Sequence, residues 1–162
     1  MKDQAIFRAA MAQLGSAVCV IATDGPAGRY GITVSAVTSV SDEPPSLIAC
    51  INRASGANSI VKTNAKLSVN VLSSEQQDIS HVFASGATKP ETRFETGEWS
   101  TSHLGNPLLE ETAASFDCTV DKVIEYGTHS VFFCKAESIC VSDTANCLIY
   151  HGRAYHRIQA YD

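Results

Sequence analysis

Small and hydroxyl-bearing side chains dominate the stretch from Arg29 to Ser41, which reads RYGITVSAVTSVS. Its β-branched residues predict a strand, yet Gly31 and its neighbours leave little bulk to pack. The hydroxyl groups considered for a ligand are those of Thr33, Ser35, Thr38 and Ser39. One explanation is that small residues fill a tight barrel corner and their hydroxyls bond locally. The alternative is that the strand forms a flat shelf for a planar, phosphate-bearing cofactor.

A second group of polar residues lies in CINRASGANSI, where a predicted strand ends and a predicted helix begins. It consists of Asn52, Arg53, Ser55 and Asn58. Free N–H groups at a helix N-terminus and the helix dipole favour an anion, and Arg53 would add positive charge. The same residues also suit a capping arrangement that binds no ligand. Spacing alone leaves both interpretations open.

One histidine stands at the head of a predicted strand, since His129 follows Gly127 and Thr128 in EYGTHSVFF. A side chain there can face a cleft, although a lone histidine is more often structural. The other histidines and the six cysteines lack the spacing of a metal site, so we expect no metal and mostly buried free thiols. No Gly-x-Ser-x-Gly, Gly-x-Gly-x-x-Gly or Walker sequence is present, so no serine-nucleophile, Rossmann or P-loop site is indicated.

The composition is typical of a globular protein, with 44% hydrophobic and 18% charged residues. A formal net charge of -5 without any Lys/Arg run argues against nucleic acid or an anionic membrane as a partner. No segment approaches the roughly 18 consecutive apolar residues of a membrane span, and the start is amphipathic, unlike a signal peptide. We therefore expect a cytoplasmic protein with a single domain over residues 1–162.

Hydrophobic periodicity predicts the elements of the first third of the chain. A helix is expected over residues 3–14, closed by Gly15. A strand from Ala17 to Thr23 should turn through residues 24–28 into the thin strand. Another strand is expected from Ser46 to Asn52, and the helix after it should begin between Ser55 and Asn58.

The remaining pattern is that of further strands. Alternation in KLSVNVLS predicts a half-buried strand over residues 66–73, and Ser74 to Gln77 resembles a capping box. Residues 84–107 predict a long loop. Three more strands follow in ASFDCTVDKVIEY, HSVFFCKAESICV and CLIYHGRAYHRI. About six strands and two or three short helices indicate a mainly β, antiparallel barrel.

Taken in chain order, six segments resemble the flavin reductase family, which has the FMN-binding split-barrel fold. They are FRAAMAQLGSAVCVIAT, GITVSAVTSVSDEPPSLIACIN, KLSVNVLSSEQQDISHVFA, RFETGEW, GTH and LIYHGRAYH. The resemblance covers nearly the whole chain and is nearest to reductase components of two-component aromatic hydroxylases, such as the 4-hydroxyphenylacetate 3-monooxygenase type. It implies an antiparallel split β-barrel with a few short peripheral helices, assembled as a homodimer.

The resemblance also implies an activity, namely hydride transfer from NADH, or NADPH, to FMN or FAD. The reduced flavin would be supplied to an oxygenase component that acts on an aromatic substrate. The lack of an obvious Arg/Lys cluster for a 2′-phosphate favours NADH. His129 would orient the nicotinamide or the reduced flavin. The residues placed at the cofactors are Gly31, Thr33, Val34, Ser35, Ala36, Ser39, Cys50, Ile51, Asn52, Ser55, Asn58, His81, Phe83, Ser85, Arg93, Phe94, Tyr150 and Gly152.

The chain departs from many relatives at one position that bears on this assignment. Thr128 stands before His129 where they carry an aspartate in Gly-Asp-His. A role that rests on that acid is therefore in doubt, while the histidine remains available. Two other functions stay open: a split barrel that stores or senses flavin or haem without turnover, and an oxidoreductase that retains its flavin.

Overall fold

The computed structural model describes residues 2–159. The predicted first helix, α1 (Lys2–Met11), is confirmed but ends before Gly15, because the chain tightens into i→i−3 hydrogen bonds at Gln13 and Leu14. No helix within residues 2–159 is both long and apolar enough to cross a membrane. The other elements are β1 (Ser16–Ala17), β2 (Cys19–Thr23), β3 (Tyr30–Val34), β4 (Val37–Asp42), β5 (Pro45–Asn52), α2 (Gly56–Asn64), β6 (Lys66–Val71), α3 (Gln77–Ala84), a 3₁₀ helix (Pro90–Glu95), β7 (Trp99–Thr101), β8 (Pro107–Leu109), β9 (Ala114–Tyr126), β10 (His129–Val141), β11 (Leu148–His151) and β12 (Ala154–Arg157).

The central sheet is antiparallel throughout, with strand order β3-β2-β6-β9-β10-β5-β4. Its two edge strands, β3 and β4, are consecutive in the chain and are joined only by Ser35 and Ala36. The sheet must therefore curl until its edges meet, yet those edges are not paired with each other within the described residues. We call residues Val34–Val37 the seam. The predicted split β-barrel is confirmed, and the seam is where it is split.

Two hydrophobic clusters hold the barrel. The inner one contains Ile21, Leu67 and Phe132 from the sheet and Val61 from α2. The outer one, beneath α3, contains Val20, Leu72, Ile79 and Phe83. Strands β2 and β6 are consequently buried on both faces.

The second layer overturns the prediction of a half-buried strand over residues 66–73. Ser68 and Asn70 are 0% exposed, because β8 covers the face they were expected to present to water. Their polar groups are satisfied inside the protein: Ser68 donates to the carbonyl of Pro107, and Asn70 accepts from the N–H of Leu109 at 2.9 Å. The alternation of apolar and polar residues assigned the side chains of β6 to the correct two faces. It could not show that the polar face is also covered by another segment.

The predicted capping box at Ser74 is wrong. Helix α3 begins at Gln77 without a side-chain cap, and the Ser74 hydroxyl bonds to Glu75 instead. The Gln76 side chain is buried, where it accepts from the N–H of Ser73 at 3.0 Å and donates to the carbonyl of Glu110 at 2.8 Å. The hydrogen bond to Glu110, rather than a local capping box, therefore holds the start of α3 in place.

The predicted long loop over residues 84–107 and the count of six strands are also wrong. The segment holds the 3₁₀ helix, β7 and the start of β8, because Phe94 and Trp99 fold back onto Phe83 with ring centroids 5.2 and 5.3 Å away. The last predicted strand is a hairpin, β11–β12, which turns at Gly152 and Arg153. With short pairs such as β1–β11, the structure contains twelve strands within residues 2–159.

Candidate active site

The seam leaves part of the barrel wall open. Strand β4 pairs with β5 from Asp42 back to Val37, opposite Ala49, and one further bond joins the N–H of Cys50 to the carbonyl of Ala36 at 3.0 Å. Beyond that point β5 continues to Asn52 with no strand beside it on this side among the described residues. The exposed residues Ser35 and Ala36 and the free flank of β5 therefore face the same opening.

A cleft of about 230 Å³ lies beside the seam. Its wall consists of Val18, Thr33, Val34, Ser35, Ala84, Tyr150 and Tyr155. Tyr150 and Tyr155 stand opposite each other across the β11–β12 hairpin, with ring centroids 5.3 Å apart. Aromatic faces beside a backbone edge suit a planar ring with polar margins.

Tyr155 is the residue of this cleft that sequence reasoning missed. Its hydroxyl shares a 2.8 Å hydrogen bond with Ser80, and its ring lies edge-on to His81 at 5.1 Å. The signal was present, since a two-residue turn at Gly152 and Arg153 places Tyr155 directly opposite Tyr150. Gly152, predicted to contact a cofactor, lies in that turn and bonds to the carbonyl of Ala12.

The predicted anion site coincides with the start of α2. Ser55 is the N-cap and accepts from the N–H of Ala57 at 3.2 Å, and the first turn carries no acid. The Asn52 side chain accepts from the N–H of Ala54 at 2.9 Å, which shapes the approach to the helix. Capping and anion binding are thus compatible here, because the cap occupies only one of the free N–H groups.

Arg53 does not add its charge to that site in this structure. Its Nε lies 2.7 Å from the Glu125 carboxylate, and its Nη1 donates to the carbonyl of Gly127. Lys62 and Ser130 also donate to Glu125; the Lys62 bond, then that of Ser130 and the nearby cations, lowers the pKa of this carboxyl below its ordinary value. Arg53 instead pins the β9–β10 turn to the segment before α2.

Asn58 lies beneath the ion pair of Arg53 and Glu125 and is only 3% exposed. Its Nδ2 donates to the carbonyl of Ile51 and to the Ser130 hydroxyl, both at 3.0 Å. Because these bonds join α2, β5 and β10, Asn58 supports the site from below. Its side chain and the buried side chain of Ile51 lie within the protein rather than at the opening.

His129 begins β10, as predicted, and its side chain is exposed. Its Nδ1 lies 2.9 Å from the Thr128 hydroxyl, and its cross-strand neighbours are Asn52 and Tyr126. The structure therefore places His129 opposite Asn52 at the end of β5, with β5 between it and the open flank. His129 does not line the cleft that contains Tyr150 and Tyr155.

The thin strand has a structural cause at its first small residue. A Cβ on Gly31 would lie 2.4 Å from Cε1 of the buried Phe83, so only glycine fits. The Thr33 hydroxyl is also engaged, because it donates to the carbonyl of Ser80 at 2.8 Å. A cofactor is not needed to explain these two residues. A flat surface that binds a planar cofactor stays a prediction for Val34, Ser35 and Ala36.

The predicted residues around α3 mostly support β3 from behind. Arg93 is only 6% exposed and donates to the carbonyls of Gly31 and Ser85, both at 2.8 Å. Phe83 and Phe94 pack against each other beneath Gly31, whereas His81 is exposed near Tyr155. Among these predicted residues, only His81 lies next to the cleft of Tyr150 and Tyr155.

Two further predicted residues lie apart from the aromatic cleft. Ser39 lines a different, mainly apolar cleft of about 370 Å³ with Leu47 and Ile139. Cys50 lies on β5 at the seam, and burial raises the pKa of its thiol. Burial also raises the pKa of Cys19 and of Cys134 to about 12, so these thiols stay protonated and are not nucleophiles.

Comparisons with known proteins agree on a single family. The family model described as "Flavin reductase like domain" matches residues 11–159. A protein of Variovorax paradoxus named FMN reductase (NADH) RutF is 48% identical over 157 residues, covering 97% of this chain and 87% of that protein. Among solved structures, a flavin reductase from Haemophilus somnus 129pt is 40% identical with a TM-score of 0.91, covering 95% of this chain and 98% of that one. A homologue of nitrilotriacetate monooxygenase component B from Mycobacterium thermoresistibile is 27% identical with a TM-score of 0.89, covering 98% of this chain and 88% of that one.

Proposed function

Because the chain belongs to the flavin reductase like domain family, we propose that it is an NADH-dependent FMN reductase. The observation that carries the proposal is the open seam, where exposed backbone borders a tyrosine-lined cleft and the free flank of β5 leads towards the N-terminus of α2. Relatives at 46% and 48% identity bear the name FMN reductase (NADH), which favours FMN over FAD and NADH over NADPH.

The residues present fit a flavin in shape and in donor set. Ser35 and Ala36 are small and exposed, so a flat ring can approach the backbone of the seam closely. The N-terminus of α2 offers N–H groups and a positive dipole end to a phosphate, and Ser55 presets its geometry. Tyr150 and Tyr155 supply aromatic surface on the other side of Ser35.

Bound flavin supplies the chemistry, which is the acceptance of a hydride from C4 of the nicotinamide at flavin N5. The chain's own contribution is placement: Tyr150 and the seam backbone restrict where two planar rings can lie. Backbone N–H groups beside Ser35 and Ala36 would donate to the flavin margin where negative charge develops. His129 would orient one ring from its position opposite Asn52, at the end of β5, without acting as an obligatory acid.

Replacing His129 with alanine should lower kcat about 5- to 20-fold and leave the stability of the fold nearly unchanged, because the side chain is exposed and orients rather than reacts. Stopped-flow measurement of NADH oxidation, with circular dichroism as the stability control, checks this. The exposed cross-strand neighbour Tyr126 offers a matched variant, Tyr126→Ala, with little expected effect on kcat. An unchanged kcat in His129→Ala would remove His129 from the mechanism.

We further propose that the reduced flavin is released to a separate oxygenase. The seam, where Ser35 and Ala36 are small and exposed, encloses a ligand on few sides, which suits exchange. A solved relative at 27% identity is a component of a monooxygenase, which supports the same arrangement. An aromatic substrate for the oxygenase stays a prediction from the sequence resemblance. Retention of reduced flavin at submicromolar Kd in an anaerobic titration would contradict release.

A homodimer is proposed on the exposed apolar residues. Ile6 and Phe7 of α1 are each at least 65% exposed, and Val141 at the end of β10 is 68% exposed. Large exposed apolar groups of this kind mark surfaces that a partner covers. Sedimentation velocity should give a species of twice the 17.3 kDa chain mass. A monomer at micromolar concentration would contradict this.

The experiment that tests the main proposal is anaerobic NADH oxidation by the purified protein with added FMN, FAD or riboflavin, alongside its absorption spectrum as isolated. We expect turnover that scales with free flavin, with FMN preferred over riboflavin because riboflavin lacks a phosphate for the α2 N-terminus. A chromophore that persists without NADH consumption would indicate storage or sensing instead. Turnover that needs no added flavin and reduces another small molecule would indicate a flavin-retaining oxidoreductase.

A further inference from the structure

A second, larger cleft adjoins the aromatic one at the seam. Its volume is about 550 Å³, within the range of small-molecule sites, and it shares Ser35 and Tyr150 with the first cleft. One side is formed by the end of α1, and the other by the β11–β12 turn. The proposed flavin site borders this space at Ser35, Ala36 and Tyr150 and leaves its α1 side unused.

Two arginines from separate elements line this cleft. Arg8 lies in the last turn of α1, and Arg153 lies in the β11–β12 turn. No carboxylate within residues 2–159 pairs with either, and the lining includes no acidic residue. In a chain with a formal net charge of -5, this is a local concentration of uncompensated positive charge.

The structure holds the two arginines in fixed relation. The N–H of Gly152 donates to the carbonyl of Ala12 at 2.7 Å, which ties the turn to the end of α1. Strand β1, just after α1, pairs Ser16 with Tyr150. Arg153 itself has φ +66°, a left-handed conformation that side-chain-bearing residues rarely adopt. Both residues of this two-residue hairpin turn have positive φ, so the turn geometry sets where Arg153 stands.

Apolar surface lies between the two charges. Met11 and Leu14 line the cleft and are 47% and 60% exposed, and Tyr150 adds an aromatic ring that is 37% exposed. A cleft that pairs two guanidinium groups with apolar and aromatic surface suits a diphosphate joined to a flat base. Its shared border with the aromatic cleft lets one molecule reach from a ring at the seam into this space.

We propose that this cleft binds the adenosine diphosphate half of a dinucleotide, with Arg8 and Arg153 holding the diphosphate and Met11, Leu14 and Tyr150 contacting the adenine. The inference rests on the proposed function for its choice of ligand. NADH and FAD both carry this half, whereas FMN and reduced nicotinamide mononucleotide do not. The two sources are separated by comparing the same substitutions across these four compounds.

The test combines turnover with direct binding. In Arg8→Ala/Arg153→Ala we expect the KM for NADH to rise about 10- to 50-fold with kcat nearly unchanged, because lost charge-assisted contacts act on binding. The KM values for FMN and for reduced nicotinamide mononucleotide should change less than about 2-fold. A rise for FAD but not for NADH would assign the cleft to the flavin dinucleotide.

Calorimetric titration with ADP-ribose gives a readout that needs no turnover. The double variant should lose about 10-fold or more in affinity, more steeply at low salt, because the contacts are ionic. Arg157→Ala is the matched control, since Arg157 lies on β12 but pairs with Glu75 away from the cleft. Unchanged ADP-ribose affinity, with unchanged KM for both dinucleotides, would overturn the inference. A protein that binds ADP-ribose through the arginines but never oxidises NADH would refute only the proposed function.

Discussion

Gly31→Ala is expected to destabilise the protein by about 2–3 kcal/mol, because the new methyl group would overlap a packed aromatic ring. Its Cβ would lie 2.4 Å from Cε1 and 2.7 Å from Cδ1 of Phe83. Phe83 is 1% exposed and is held by Phe94 and Trp99, so it has little room to retreat. Urea denaturation followed by tryptophan fluorescence measures the loss directly, since Trp99 belongs to the same cluster.

The consequence should extend from the core to the site. Strand β3 leads from Gly31 to Val34 and Ser35 at the seam, and Arg93 holds the Gly31 carbonyl at 2.8 Å. A strand pushed away from Phe83 therefore moves the residues proposed to face the flavin. We expect the KM for FMN to rise at temperatures where the variant is still folded.

Gly86→Ala is the matched control for this substitution. A Cβ on Gly86 would have no atom within 4 Å, so its effect on the free energy of unfolding should stay within about 0.5 kcal/mol. Adding Phe83→Leu to Gly31→Ala should relieve part of the overlap, with a coupling of about 1 kcal/mol or more. If Gly31→Ala is as stable as the parent, steric exclusion by Phe83 is not the reason for glycine.

Local signals predicted much of the fold. The α2 start was marked by the small polar capping residues from Ser55 to Asn58, and the β2–β3 hairpin by the turn residues after Thr23. These features depend on a few neighbouring residues, which a single sequence contains. The split barrel required the family resemblance, since periodicity alone indicates an antiparallel barrel but not where it opens.

The errors arose where distant segments meet. Ser68 and Asn70 alternate as if exposed, yet their hydrogen bonds to the β8 segment allow burial. The sequence predicted that Arg53 adds its charge to an anion site, whereas the structure places its Nε 2.7 Å from the Glu125 carboxylate. In each case the hydrogen-bond or ion-pair partner lies at least 39 residues away in the chain. A local sequence pattern cannot identify such a partner.

The same reasoning separates two kinds of predicted site residue. Ser35 and Ala36 at the seam and His129 beside β5 are exposed and able to contact a ligand. Others in the predicted set, including Asn58 and Arg93, are buried and bonded within the protein. A motif that marks a binding site therefore includes residues that hold the site in shape, and only the structure tells the two apart.

Asn58→Ala should have the largest effect among these supporting residues, costing about 2–3 kcal/mol of stability and raising the KM for FMN about 10-fold. The substitution leaves the Ile51 carbonyl and the Ser130 hydroxyl without their buried partner and opens a small cavity. Because Asn58 joins α2 to β5 and β10, its loss frees the α2 N-terminus to shift relative to His129. Urea denaturation and steady-state kinetics below the unfolding transition measure the two effects.

A purely structural role for Asn58 would lower the folded fraction while the KM of the folded protein stayed the same. Ser59→Ala, on the exposed face of the same helix, controls for changes in helix stability and should leave the KM for FMN unchanged. Combining Asn58→Ala with Ser130→Ala should cost less than the sum of the two, since each removes one end of the same hydrogen bond. Additive losses with an unchanged KM would mean that Asn58 stabilises α2 but does not position the phosphate site.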